Sequence, residues 1–550
     1  MEADCKLGDV CIESPADSGQ AAFVLVLMLG TFLLAVFGFS VDLTNIWFHR
    51  QAAAAASDAA CQAGAMDLLA SAGGLTLPAM GFTAGPVGDC VSASAATMCA
   101  YARLNGYDGA GLNSSQPSNA VSWEFLQSVS GVTPGAGSYP FIKVSITENV
   151  KTYFISLVDA SHVQPITVTT TCGLTLMKGA PPMVVLHPSM SGAFYYSGGG
   201  ALDIVGGPTR GLQVNSTSST AIQWFASGMI DLSRGGASQT GSDVAVVGGP
   251  ATVPSNGSST GFLGGSTGRW IGKALPVSDP FSSVAAPVSV KSLAPTSTAS
   301  GTWVAYGKDG CPDNTKSTGN PAHACMEFSA GYYPEGIDLP NVMNGYSTAI
   351  FAPGIYYMNG SLVASGSNTL RMAKPTGYQQ TDGVMFYFLT GSLAISGCSG
   401  CSNSGVDNAA ATDLTCDGLA PPAALNMQTT LYGNVLWGQC VANGTYWDSG
   451  NDTSDTRGAP GNRGLLIFQD HGNTFTPSLT GSGALSFAGA LYFHSNDYGD
   501  VLSLSGGSSS GTFILGEIIA DQVSLTGSGV IKLALNPAAS MDVSKVAIFE

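Results

Sequence analysis

From Ala21 to Val41 the chain reads AAFVLVLMLGTFLLAVFGFSV, 21 positions without a charged side chain. A helix at ~1.5 Å per residue carries such a run across ~30 Å, the hydrocarbon thickness of a bilayer. Ala21, Phe23, Leu25, Leu29, Leu33, Phe37 and Val41 mark this predicted membrane span. A secretory signal would have a shorter apolar region and end at a small-residue cleavage site. Here the run continues through Asp42-Leu-Thr-Asn-Ile-Trp-Phe-His-Arg50 into an alanine-rich stretch that ends near Leu69. Alanine is the strongest helix former, so one helix is expected from about Ala21 to about Leu69. Its first half lies in lipid, and its second half stands in water or packs on a neighbour. Asp42, Trp47 and Arg50 fall where interfacial anchors belong.

After the stalk, residues 72 to about 90 are rich in Gly and Pro and read as a loop. Val91–Leu104 reads as a short helix stopped by Asn105-Gly106, and Trp123–Val129 as a further helical turn. Ile142, Val144 and Ile146 alternate with polar residues, as do Ile166, Val168, Thr170 and Cys172, so two strands are expected there. Asn149–Val158 between them reads as a short helix. Together these elements form a small α+β module over 73–178.

From about Pro182 the pattern becomes short apolar–polar alternations closed by glycine, such as Ala201-Leu-Asp-Ile-Val-Gly206 and Ser392-Leu-Ala-Ile-Ser-Gly397. Ser478-Leu-Thr-Gly, Ser503-Leu-Ser-Gly and Ser524-Leu-Thr-Gly repeat one tetrapeptide at spacings of 25 and 21 residues. Repeats of this length mean stacked units. Strands this short are best accommodated by a parallel β-helix, in which each strand points apolar side chains into a shared core. A β-sandwich would also fit the alternation, but it does not require a repeat of one coil length. The fold class expected is therefore mainly β. The predicted divisions are a tail (1–20), span and stalk (21–72), the module (73–178) and the β-helix (180–550). Insertions in the β-helix are expected near 236–335 and 398–462.

Composition narrows the function. Only 10% of residues are charged and the net charge is −17, which argues against nucleic acid and against an anionic membrane face as partners. Twelve cysteines, an even number spread through loop-like stretches, fit disulfides in an oxidising compartment. Cys61, Cys90 and Cys99 lie near the two helices and suggest a bond clamping the second helix to the stalk. Cys311 and Cys325 can close a local loop. Cys398 and Cys401 have redox spacing but lie in a Ser/Gly turn, which favours a structural bond. Cys416 and Cys440 complete a four-cysteine set whose irregular spacing suits zinc poorly. Lys6 before the span and Arg50 after it would, by the positive-inside rule, leave the body in the cytoplasm. Large domains translocate largely regardless of charge, and the cysteines place the body outside.

Candidate catalytic groups are few. Asp470-His471, and His494 with Asp497, could act as acid–base pairs, as carboxylates do on β-helix carbohydrate enzymes. Polar residues at coil corners are the favoured reading of them. Ser/Gly stretches such as 506–511 (GGSSSG) read as turn chemistry, and no zinc-protease motif or phosphate-binding glycine loop is present. No catalytic residue, metal site or cofactor is assigned.

An apolar span closing in Val41-Asp42, an aromatic and a basic residue, and a Gln-Ala-rich helix with Ser57-Asp58-Ala59-Ala60 resemble the N-terminal domain of TadE/TadG-like proteins of tight-adherence (Flp) pili. Tyr101-Ala-Arg-Leu-Asn-Gly106, the strand pair near 142–172 and the repeats resemble the remainder of some TadG-like chains. The resemblance implies a membrane-anchored, extracytoplasmic structural or adhesive component. Its implied partners are the lipid bilayer, other pilus or adherence proteins, and surface glycans. The alternative is a membrane-tethered polysaccharide-binding or polysaccharide-degrading enzyme on the same scaffold. Acids rather than bases precede the span, and Val24 stands where a prepilin processed at Gly19-Gln20 would carry Glu. A von Willebrand A-type metal motif would put a carboxylate where His187-Pro-Ser189-Met-Ser191 has histidine, which leaves a hard cation without its main charge partner.

Overall fold

A computed structural model describes residues 15–73, 87–157, 162–225, 228–251, 261–282, 301–311, 324–343, 348–364, 368–376, 383–397, 465–481, 485–506, 512–535 and 542–549. It also describes short strand segments at 409–410, 430–431, 435–438, 441–442 and 445–446. Cys398, Cys401, Cys416 and Cys440 lie outside the described residues.

The apolar run and the alanine-rich stretch form one helix, α1 (Pro15–Ala72). Between Ala21 and Val41 only Gly38 is buried. Thr31 and Ser40 donate their hydroxyls to the carbonyls of Leu27 and Val36, so neither needs water. Beyond the span the pattern changes. Ala53, Ala56, Ala60, Cys61, Ala65 and Leu68 are buried at spacings of three or four, with Ala60 and Cys61 adjacent, a helical stripe packed on a sheet.

That sheet is antiparallel and five-stranded: β1 (Val87–Asp89), β2 (Ser118–Leu126), β3 (Phe141–Lys151), β4 (Val163–Lys178) and a C-terminal strand (Asp542–Phe549). A short helix, α2 (Thr97–Leu104), packs with it against α1. Two helices expected from the sequence are not formed. Trp123 lies in β2, where Val121, Trp123 and Phe125 are all buried, so the period is two rather than 3.6. At 149–158, β3 continues to Lys151, and only Ile155–Leu157 makes a helical turn, of the 3₁₀ type. The expected second helix begins at Thr97 rather than Val91. The last strand of the chain also belongs to this module and not to the body, because Asp542–Phe549 pairs with β4 from Lys178 to Thr171.

The body has sheets of eleven, ten and eight strands. Every pairing in them is parallel, except that Thr302–Val304 runs antiparallel to Cys325–Phe328. The repeated tetrapeptides lie side by side in the eight-stranded sheet, with Leu479 opposite Leu504 and Leu504 opposite Leu525. Those leucines, Phe487 and Ile514 of the eleven-stranded sheet, and Leu491 and Ile518 of the ten-stranded sheet share one buried cluster. Burying each such side chain stabilises by ~2 kcal/mol. Nearer one end the same core contains stacked rings, with Tyr356 5.0 Å from Phe386 and 5.8 Å from Tyr333.

The order of strands departs from a simple winding. The chain enters mid-stack at Met183–Val185 and builds outward to Trp270–Gly272. Residues 273–282 then run back over the outer face of the ten-stranded sheet. Val277 is hydrogen-bonded to Asn215, and Phe281 packs on Tyr492. Cys325–Phe328 resumes at the opposite end, and winding proceeds until Ile518 pairs with Met183, Val523 with Phe194 and Val530 with Ala201. Both regions read as insertions therefore contribute strands. Asp243–Val246, Gly261–Leu263 and Trp270–Gly272 lie within 236–335, and Val435–Gly438 within 398–462. Gly- and Ser-rich composition had masked strands of three or four residues.

Candidate functional site

Two places gather the polar groups singled out from the sequence. The first is where α1 leaves the span. Asp42 is fully buried there, and its carboxylate accepts the backbone N–H groups of Tyr153 (3.0 Å), Phe154 (2.7 Å) and Ile155 (2.6 Å). Burial pushes its pKa up, but the N–H groups of Ile155, Tyr153 and Phe154 outweigh that and hold it below the ordinary carboxylate value. Asp42 is therefore not a lipid-facing anchor. It caps the turn that follows β3 in the manner of a helix N-cap residue, but from another element. Trp47 and Arg50 are exposed on the helix surface.

Further contacts zip α1 to β3. Asn45 donates to the Lys151 carbonyl at 3.1 Å. His49 Nδ1 lies 2.8 Å from Glu148, which also accepts from the Tyr107 hydroxyl at 3.1 Å. Ser57 donates to the Val144 carbonyl, and Thr170 donates to Asp58 at 2.7 Å. Cys61 is bonded to Cys172 of β4, whereas Cys90 is bonded to Cys99. The disulfide to the stalk thus comes from the sheet and not from the second helix. Its signal was the alternation that places Cys172 on the inward face of β4. Cys311 and Cys325 are joined as expected.

The second place is the outer face of the ten-stranded sheet, where residues 273–282 cross it. The sequence neighbours are not the partners. Asp470 accepts from Tyr387, His471 Nε2 lies 2.9 Å from the Tyr492 hydroxyl, and that hydroxyl donates to Asp279 at 2.6 Å. His494 pairs with Asp521 at 2.5 Å rather than with the exposed Asp497, because the Phe493 and Ala520 rungs stack in register. Burial alone would lower the His494 pKa, but the hydrogen bond and charge of Asp521, with Asp279 and Asp500, raise it above the ordinary value. Burial and the His494 charge lower that of His471. Burial, with the Asp521 charge, pushes Asp500 up to about 7. Asp279, Asp500 and Asp521 are far apart in the sequence, and strand register together with the crossing of residues 273–282 brings them together. The Tyr492–Asp279 hydrogen bond ties the crossing segment to the sheet, and His494–Asp521 joins neighbouring strands beside it. Among the described residues no group of three or more His, Cys, Asp or Glu side chains is placed to hold a metal ion.

A family model described as Flp pilus-assembly TadE/G-like matches residues 19–67, most of the long helix α1. No curated protein and no solved structure matches the chain. The match and the long apolar helix fit a membrane-anchored pilus-assembly component.

Proposed function

We propose that the chain is a single-pass, extracytoplasmic structural or adhesive component of a tight-adherence (Flp-type) pilus or related surface assembly, without catalytic activity of its own. The observation that carries this reading is the family match over 19–67, which coincides with the apolar helix and its packed continuation. The three disulfides support an oxidising compartment for the module and body. The body reads as a β-helix with its coils in three parallel sheets, preceded by the span and stalk (21–72) and the module (73–178). The shared core of those sheets supports this assignment. Such a stack presents a long, weakly charged Ser/Thr/Asn surface to other assembly proteins or to surface glycans.

Protease shaving of intact cells tests the placement. Added protease should remove epitopes of residues 183–535 while leaving a membrane-embedded fragment around 21–41. A body protected until the membrane is broken would overturn it. Co-purification of pilus-assembly proteins with the detergent-extracted chain tests the assembly role.

A further inference from the structure

The turn after β3 lies beside the predicted span, not above it. Phe154 packs directly on Gly38, where an added Cβ would lie 2.5 Å from the ring. Gly38 is four residues before Asp42, so Phe154 sits ~6 Å inside the end of the apolar run. Tyr153 and Phe154 nevertheless remain 56% and 45% exposed, as Phe37, Phe39 and Val41 do on the neighbouring helix. The backbone N–H groups at the start of this turn are provided for internally. Asp42 accepts the N–H groups of Tyr153, Phe154 and Ile155, and the N–H of Thr152 goes to the His162 carbonyl at 3.1 Å. The Lys151 carbonyl accepts from Asn45, and the Tyr153 carbonyl accepts from Ser156 at 2.7 Å. Irregular backbone survives at membrane depth only when its polar groups are satisfied by protein. Aromatic rings with a polar handle, and a lysine whose ammonium lies 5.2 Å from the Tyr153 ring, suit the headgroup boundary.

We propose that residues 152–157 are a second membrane-contacting element, with Tyr153 and Phe154 in the headgroup–acyl boundary of the bilayer that α1 crosses. This rests on the reading of Ala21–Val41 as a span. It sets the depth of the module: β3 and β4 sit on the membrane surface with no free stalk between.

The test is photocrosslinking of the full-length chain in vesicles of phosphatidylethanolamine and phosphatidylglycerol. p-Benzoyl-phenylalanine replaces Leu33, Tyr153 or Phe475 in separate preparations, and lipid adducts are read by mass spectrometry. Tyr153 and Phe475 are exposed side chains, so folding should be unaffected. Positions 33 and 153 should both give lipid adducts, at least tenfold above position 475 in the body. No adduct at 33 would overturn the span itself. Adducts at 33 with none at 153, or equal labelling at 153 and 475, would overturn the loop proposal alone. Covalent dimers from position 153 would also overturn it, by naming a second copy of the chain as the occupant.

Discussion

At the scale of single residues, Asp500 and Asp42 show opposite uses of a buried carboxylate. Asp500 accepts from Gln469 at 2.6 Å, but its other oxygen has no hydrogen-bond partner among the described residues, and the Asp521 carboxylate lies nearby. Its pKa is raised from the ordinary 3.8 to about 7. The folded state therefore holds a proton that the unfolded chain releases. The stability this contributes is present below pH 4 and is lost as pH rises toward 7. Asp500→Asn keeps an acceptor for Gln469 and has no charge to bury. The variant should melt higher than the parent at pH 8, with the advantage vanishing by pH 4, as read by thermal melts across that range. Asp42 has its charge fully used. Asp42→Ala would strand three buried N–H groups, and hydrogen exchange at 153–155 should accelerate at least about tenfold while the body amides stay unchanged. Neither role was legible in the sequence. Asp42 looked like an interface anchor because it closes the apolar run, and its partners lie more than a hundred residues away.

At the scale of elements, legibility followed period and repeat. The tetrapeptides at 478, 503 and 524 were readable because each strand repeats the same inward leucine and the same closing glycine, and they lie in register in one parallel sheet. The glycine is a steric demand: Gly527 has φ +90°, and a Cβ there would lie 2.4 Å from the Gly506 carbonyl oxygen. Gly527→Ala should cost at least ~2 kcal/mol in denaturant melts, through left-handed backbone and crowding together. The adjacent exposed Thr526→Ala should change little. Where no repeat existed, the period was misread. Trp123–Val129 read as a helical turn, and only the pairing of Trp123 with Val144 decides for a strand. The His494–Asp521 pair is a coil-register contact, invisible until the winding is known.

At the scale of the molecule, the chain's ends determine how the parts depend on one another. The first three strands of the body, within 183–206, are flanked on one side by strands that come just after them and on the other by strands made only after residue 511. The chain then returns through the C-terminal strand to β4, and β4 is joined to the stalk by Cys61–Cys172 across a separation of 111 residues. Closing so long a loop should stabilise by ~4 kcal/mol. Cys61→Ser with Cys172→Ser should lower the melting temperature of the module, with the loss abolished when the parent is reduced. The winding order makes a sharper demand. Stacked coils draw their stability from neighbours, so a chain ended after residue 506 leaves Met183–Val185, Phe194–Gly198 and Ala201–Gly206 each without one partner strand, although their own sequences are intact. It also removes the strand that covers the edge of β4. Hydrogen exchange across 183–272 should therefore rise by orders of magnitude in the truncated chain. Strands from 325 to 395, stacked at the far end with their neighbours present, should keep their protection. Unchanged exchange at 183–272 would mean that the early coils fold as a unit before the late ones arrive, and that the junction at Met183 is a docking contact rather than a continuation of the core.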